Sequence, residues 1–163
     1  MNAMKVWLGL ILLLPSLAQA TPELRPFSTD GCTLSPDGTP RNRTLWRECC
    51  VAHDLRLWGG GTKIERVAAD KELFSCVERK AGTTIAKVFL AGVRLGSYSP
   101  YKIPAKVWGN AWYERSGYRE LPENELVQLL DELARIDVAD DIRETYRLEL
   151  EARLSPAISD SKN

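Results

Sequence analysis

The sequence predicts a mainly α-helical, disulfide-linked domain, and three observations carry that expectation. The run Glu48-Cys49-Cys50-Val51-Ala52-His53-Asp54 contains the single histidine and two of the four cysteines, at spacings that share a helical face. Thr62 and Glu65 have the spacing of a capping box directly after Gly59-Gly60-Gly61, so one helix should stop and a second begin there. Leu126-Val127-Leu129-Leu130-Leu133 and Ile142-Tyr146-Leu150-Leu154 repeat apolar residues at the helical period, with a break near Asp137 to Asp141.

Residues 1–20 read as an export signal, with Lys5 at the start, an apolar run from Val6 to Leu14, and Ala18-Gln19-Ala20 as the cleavage pattern. The apolar run is shorter than the roughly 20 residues that span a bilayer. The expected mature chain, 21–163, is long enough for one domain with a substantial core. The 22 basic and 22 acidic residues leave the mature chain at a net charge of −1, because Lys5 is the only charged residue of the signal. That balance gives no electrostatic reason to expect nucleic acid as a partner. Attraction to a membrane would rest on apolar, interfacial contact.

An even count of four cysteines in an exported chain predicts two disulfides in a periplasmic or secreted protein. A bond between adjacent Cys49 and Cys50 would strain the peptide joining them. Each is therefore expected to reach its own partner, one N-terminal and one C-terminal.

Taken in order, residues 21–43 carry no helical or strand period and are punctuated by Pro22, Pro26, Gly31, Pro36, Gly38 and Pro40, which predicts a loop. Ser28-Thr29-Asp30-Gly31-Cys32 and Pro36-Asp37-Gly38 gather carboxylates and carbonyls that suit a hard cation such as calcium; a pair of ordinary Asp-Gly turns is the competing reading. Thr44 is expected to cap a helix to about Trp58, with Trp46, Cys49, Cys50, His53 and Leu57 as its stripe. The second helix, from Thr62 to about Arg79, should carry Val67, Asp70, Phe74 and Val77. So short a connection makes the two antiparallel.

A bond from Cys49 to Cys76 would bring Asp70 level with His53, since the offsets are about 6 Å and about 9 Å along the two axes. Rotation about the axis favours Glu72 instead, so both carboxylates stand as partners for His53. Thr84 to Leu95 predicts a buried third helix ended by Gly96. Tyr98, Tyr101, Trp108, Trp112, Tyr113 and Tyr118 crowd an irregular segment interrupted by Pro100 and Pro104, where they serve either core packing or a lipid–water interface. The two amphipathic patterns of 122–154 should form helices that cover the core, and 155–163 a flexible tail.

A histidine held by a carboxylate is a general base. The chain has no G-x-S-x-G elbow to supply a serine nucleophile. A base without a protein nucleophile points to activated water, with a metal ion to polarise the attacked ester. Asp54, turned about 100° from His53 on a helix, is placed to bind such a metal while the imidazole stays available. A hydrogen-bonded core histidine is the competing reading, and a zinc site of Cys49, Cys50, His53 and Cys76 a further one, against which the adjacency of two cysteines counts.

Cys49-Cys50-Val51-Ala52-His53-Asp54 resembles the C-C-x-x-H-D signature of the secreted phospholipase A2 superfamily, and Asp70 with Cys76 six residues later is similar to that family's second catalytic helix. Asp30-Gly31-Cys32-Thr33, followed by Pro36-Asp37, resembles the calcium loop of its prokaryotic members. The resemblance covers 28–77 and implies a phospholipase A2-like core of two antiparallel disulfide-linked helices, a calcium loop before them, and extra C-terminal helices. It further implies His53 and Asp70 as catalytic residues, Asp54, Asp30 and Gly31 as calcium ligands, and disulfides Cys32–Cys50 and Cys49–Cys76. The implied activity is calcium-dependent hydrolysis of the sn-2 ester of glycerophospholipids at a membrane or vesicle surface, by a monomer. Two features depart from the family: the animal-type glycine-rich loop is absent, and the tyrosine four residues after the histidine, which supports the orienting aspartate, is Leu57 here. The second departure motivates a non-catalytic binding module on the same scaffold as the alternative.

Overall fold

Five helices follow one another: α1 (Arg47–Gly59), α2 (Lys63–Ala81), α3 (Thr83–Tyr98), α4 (Glu123–Leu133) and α5 (Asp140–Asp160). The computed structural model describes residues 24–98, 106–113 and 115–160, so the export signal and Pro100, Tyr101 and Pro104 lie outside the described residues. Within them the only β-type pairings are isolated bridges, Leu24 with Trp112 and Gly61 with Tyr118. The fold is mainly α.

α1 lies at the centre. Its Val51, Leu55 and Trp58 pack with Trp112, Leu129 and Leu150, which brings in α4 and α5. Its Cys49 and Cys50 pack with Leu73, Val77 and Ala86 of α2 and α3, while Leu57 meets Ala69 and Trp108. A helix buried on several sides has no single apolar stripe. The expected stripe through Trp46, Cys49, Cys50, His53 and Leu57 is thus one of several buried faces. α1 and α2 run antiparallel, since Cys49 meets Cys76 near one end, His53 meets Asp70, and Leu57 packs on Ala69.

The disulfides are Cys32–Cys50 and Cys49–Cys76, with Cα atoms 5.1 and 5.7 Å apart, and no cysteine is free. One ties the 24–46 loop to α1 and the other ties α1 to α2. Closing chain segments of 18 and 27 residues stabilises the fold by about 3 kcal/mol each on the loop-entropy account. Paired sulfurs also leave no thiolates for the zinc alternative. Such bonds persist in oxidising compartments, and among the described residues no helix is long and apolar enough to cross a membrane.

Several boundaries and faces differ from expectation for identifiable reasons. Thr44 does not cap α1; residues 43–46 form a turn in which the Trp46 N–H donates to Asp37 O (3.0 Å) and its indole N–H to Pro36 O (2.7 Å), so the helix starts after that anchor. The capping box of Thr62 and Glu65 is present, and α2 runs on to Gly82, whose N–H donates to Glu78 O. Val67 faces solvent, whereas Arg66 is buried in its stead. α3 passes through Gly92 and Gly96, both with open space around them, and is amphipathic rather than buried, with Val88 and Leu95 exposed. Val127 is likewise exposed on α4, and α5 continues through the expected tail to Asp160. A helix already nucleated propagates at little further cost, and one proline removes a single hydrogen bond.

Gly59-Gly60-Gly61 does more than end α1. The indole N–H groups of Trp108 and Trp112 donate to Gly61 O (2.8 Å) and Gly59 O (2.9 Å), and a Cβ at Gly60 would lie 2.5 Å from Gly109 Cα. The glycines let the 106–112 segment pack directly on the backbone. At Gly59 a Cβ would meet the Tyr146 hydroxyl at 2.0 Å. Gly59→Ala is therefore expected to destabilise the protein by about 1–3 kcal/mol despite the better helix propensity of alanine. Tyr146→Phe in the same chain should recover part of that loss by removing the clashing oxygen, as read from denaturant midpoints of the four-member cycle. Additive effects would contradict this packing account.

Candidate active site

His53 and Asp54 sit mid-way along α1 on neighbouring faces, and each face meets a different part of the protein. His53 Nε2 lies 2.9 Å from Asp70 Oδ1 across the α1–α2 contact, with both side chains buried. A carboxylate accepts, so this contact puts the ring proton on Nε2 and the lone pair on Nδ1. Glu72, the other carboxylate that rotation allowed, is half-exposed and paired with Arg56 Nη2 at 2.8 Å. Arg56 also holds Glu149 of α5 through Nε at 3.0 Å. Glu72 thus belongs to a surface ion-pair group joining α1, α2 and α5. Its expected competition for His53 is absent because the buried face of α2 runs through Arg66, Ala69, Asp70, Leu73 and Val77, which leaves Glu72 at the rim.

Asp70 has a second partner that the sequence reading did not name. Arg66, one helical turn earlier, places Nε 2.9 Å from the same Asp70 Oδ1 while being only 5% exposed itself. Its Nη2 donates to Val93 O of α3 (3.3 Å), and its guanidinium lies 5.4 Å from the centroid of the Trp108 ring. The i,i+4 spacing of Arg66 and Asp70 is a signal the sequence does contain.

The other face of α1 meets the 24–46 loop. Asp54 Oδ2 accepts from Thr29 Oγ1 at 2.8 Å, and the Gly31 N–H donates to that same hydroxyl oxygen at 3.0 Å. Asp30 Oδ1 accepts from Thr33 Oγ1 at 2.9 Å. Lys106 joins the two acids, its Nζ lying 2.9 Å from Asp30 Oδ1 and 3.5 Å from Asp54 Oδ2. Asp30, Gly31 and Asp54 therefore gather at one place.

Asp37 has another task. Its Oδ1 accepts the Cys32 N–H at 2.7 Å and its Oδ2 pairs with Arg47 Nε at 3.2 Å, so it braces the loop. Gly31 has φ +79°, and a Cβ there would fall 2.5 Å from Asp37 Oδ1, which makes glycine the residue that fits.

The electrostatics of the two acids differ. The hydrogen bond from Lys106 holds the Asp30 carboxyl below its ordinary value. At Asp54 burial dominates and pushes the carboxyl up, against the lowering effects of the Lys106 charge and the Thr29 hydroxyl. The donors gathered here are hard oxygens, which fit calcium. Among the described residues no three His, Cys, Asp or Glu side chains form a metal-holding group, so carbonyls and water would have to complete the shell around the two carboxylates.

One segment closes both halves of the site. Trp108 is fixed by its indole bond to Gly61 O and by the Gly117 N–H on its carbonyl (2.7 Å), and it covers Arg66. Two residues earlier the chain delivers Lys106 to Asp30 and Asp54. Nothing local in the sequence marks Lys106, which lies 52 positions after Asp54. Of the aromatic residues there, Trp108 and Trp112 are core, while Tyr113 and Tyr118 are exposed.

In comparisons with known proteins, no family model, no curated protein and no solved structure matches the chain.

Proposed function

We propose that the protein is an exported, calcium-dependent phospholipase of the A2 type, hydrolysing the sn-2 ester of glycerophospholipids. The observation that carries this reading is the buried His53–Asp70 pair at 2.9 Å, set one residue from Asp54, whose carboxylate turns to Asp30 and Gly31. In the proposed reaction His53 Nδ1 takes a proton from water, and the resulting hydroxyl attacks the ester carbonyl carbon. Asp70 holds the ring through Nε2 and stabilises the imidazolium that forms. His53 then returns the proton to the glycerol oxygen as the acyl bond breaks, releasing a fatty acid and a lysophospholipid. Calcium held by Asp54, Asp30 and backbone oxygen would supply charge opposite the developing oxyanion.

The alternative of a non-catalytic module on this scaffold was motivated by the missing tyrosine, and Arg66 supplies Asp70 with support by another route. The reading is tested by calcium titration of the protein and of Asp54→Asn. The substitution is expected to weaken calcium binding at least about tenfold, the size of effect that follows from losing about 1.4 kcal/mol of charge interaction. Undiminished calcium affinity or undiminished turnover in Asp54→Asn would overturn the assignment. Proton and metal compete for the same carboxylate, and burial raises Asp54 above its ordinary value. Calcium affinity should therefore begin to fall on acidification at a higher pH than for an exposed aspartate. Calorimetric titrations across a pH series check this, and affinity that held until an ordinary aspartate protonates would contradict it.

A further inference from the structure

Lys106 bears on how the two acids would take up a metal. Its Nζ contacts Asp30 Oδ1 at 2.9 Å and Asp54 Oδ2 at 3.5 Å, and it is partly shielded, with 27% of the side chain exposed. Two and three residues on, Trp108 Nε1 donates to Gly61 O and the Gly109 N–H to Leu57 O, which holds the segment against the end of α1. The ammonium is thus carried by a segment anchored on its C-terminal side.

A calcium ion bound to Asp30 Oδ1 at its usual distance of about 2.4 Å would lie within about 5 Å of the observed Nζ position, whatever its direction from that oxygen. A divalent and a monovalent cation that close, on the same two carboxylates and partly out of water, repel strongly. Lys106 therefore opposes calcium at the site as it stands.

We infer that Lys106 is a built-in competitor for the metal position: its ammonium neutralises Asp30 and Asp54 in the metal-free protein and must withdraw before calcium takes both carboxylates. The inference rests on the calcium reading above and adds to it the residue that sets how much calcium is needed. The ammonium keeps Asp54 from standing buried without a counter-charge when no metal is bound. It also makes loading a displacement, so the calcium requirement is set by a residue outside the 28–77 motif region. Trp108, on the same segment, covers Arg66, so the stretch that must release Lys106 also holds the support of Asp70.

The test is calorimetric calcium titration of the oxidised protein beside Lys106→Met and Lys106→Arg, with Lys106 acylation by an N-hydroxysuccinimide ester followed by peptide mass spectrometry. Lys106→Met keeps much of the side-chain length and removes the charge, and it is expected to bind calcium at least about tenfold more tightly than the parent. Lys106→Arg keeps the cation and should stay within about threefold of the parent. In the parent, calcium should raise the acylation rate of Lys106 several-fold while leaving that of Lys63 unchanged. Calcium binding detected in Lys106→Met alone would support displacement as well. Equal calcium affinity in parent and Lys106→Met, or calcium binding with no change in Lys106 acylation, would overturn the inference and leave the calcium site standing. Absence of calcium binding in the parent and in every variant would overturn both.

Discussion

His53→Gln is expected to lower fatty-acid release by about 10²–10⁴-fold, the usual contribution of a general base, with the melting transition kept close to that of the parent. The reason for choosing glutamine is geometric. Its side-chain N–H can reach the acceptor that His53 Nε2 now uses, Asp70 Oδ1 at 2.9 Å, but it has no basic nitrogen to take a proton from water. Arg66 remains on the same oxygen, so Asp70 is not left without a cation. His53→Ala should lose activity to a similar extent, with a larger stability cost from the space it opens in a buried position. Activity within a factor of two of the parent in either variant, measured as fatty-acid release from vesicles, would show that the imidazole is a core residue and not the base.

Arg66→Met carries the largest expected stability effect. It removes the charged partner of a carboxylate that is itself buried, and breaking such a pair costs about 3–5 kcal/mol. For a chain of this size that corresponds to a fall in melting temperature of about 10–20 °C. The loss arises from Asp70 standing as an uncompensated buried charge. Arg66→Met with Asp70→Asn should therefore regain much of the stability while remaining catalytically impaired, because a neutral amide stabilises the imidazolium less well. Arg66→Lys keeps a charge but loses the planar reach that joins Asp70, Val93 O and the Trp108 ring, and is expected to fall between parent and Arg66→Met. If Arg66→Met melted within about 2 °C of the parent, a stability difference under about 1 kcal/mol, Asp70 would not depend on Arg66 in the way its geometry implies.

These two variants mark where the sequence was readable. The Cys49-Cys50 to His53-Asp54 run and the turn from Gly59 to Thr62 are local, and local spacing is what a helix converts directly into shared faces. They located α1, the start of α2 and the antiparallel pairing. The disulfide pairing came with the family resemblance, and the choice of Asp70 over Glu72, left open by axial rise and rotation, is made by the face that α2 packs on α1.

On α2 the expected Asp70 and Val77 are buried and Phe74 packs against the core, but Val67 is exposed and Arg66 takes its place. An apolar pattern puts Val67 inward and Arg66 outward, but a buried Asp70 needs a cation beside it more than the core needs one valine. Lys106 was not legible at all, because its partners are brought to it by the packing of a distant segment on the glycine turn. α3 was misjudged for a related reason: Gly96 ends a helix only where a left-handed residue is needed, and here the helix runs on to Tyr98 with open space at that glycine.

On the proposed reading, His53, held by Asp70, activates water against a phospholipid ester beside a calcium position at Asp54 and Asp30. The most direct measurement is fatty-acid release by the oxidised protein from vesicles of a phosphatidylcholine labelled differently in its two acyl chains, with calcium and with chelator. Release of the sn-2 chain alone is expected in calcium, with loss of that release in chelator and in His53→Gln. No product in calcium, equal release of both chains, or release undiminished by chelator would contradict that reading.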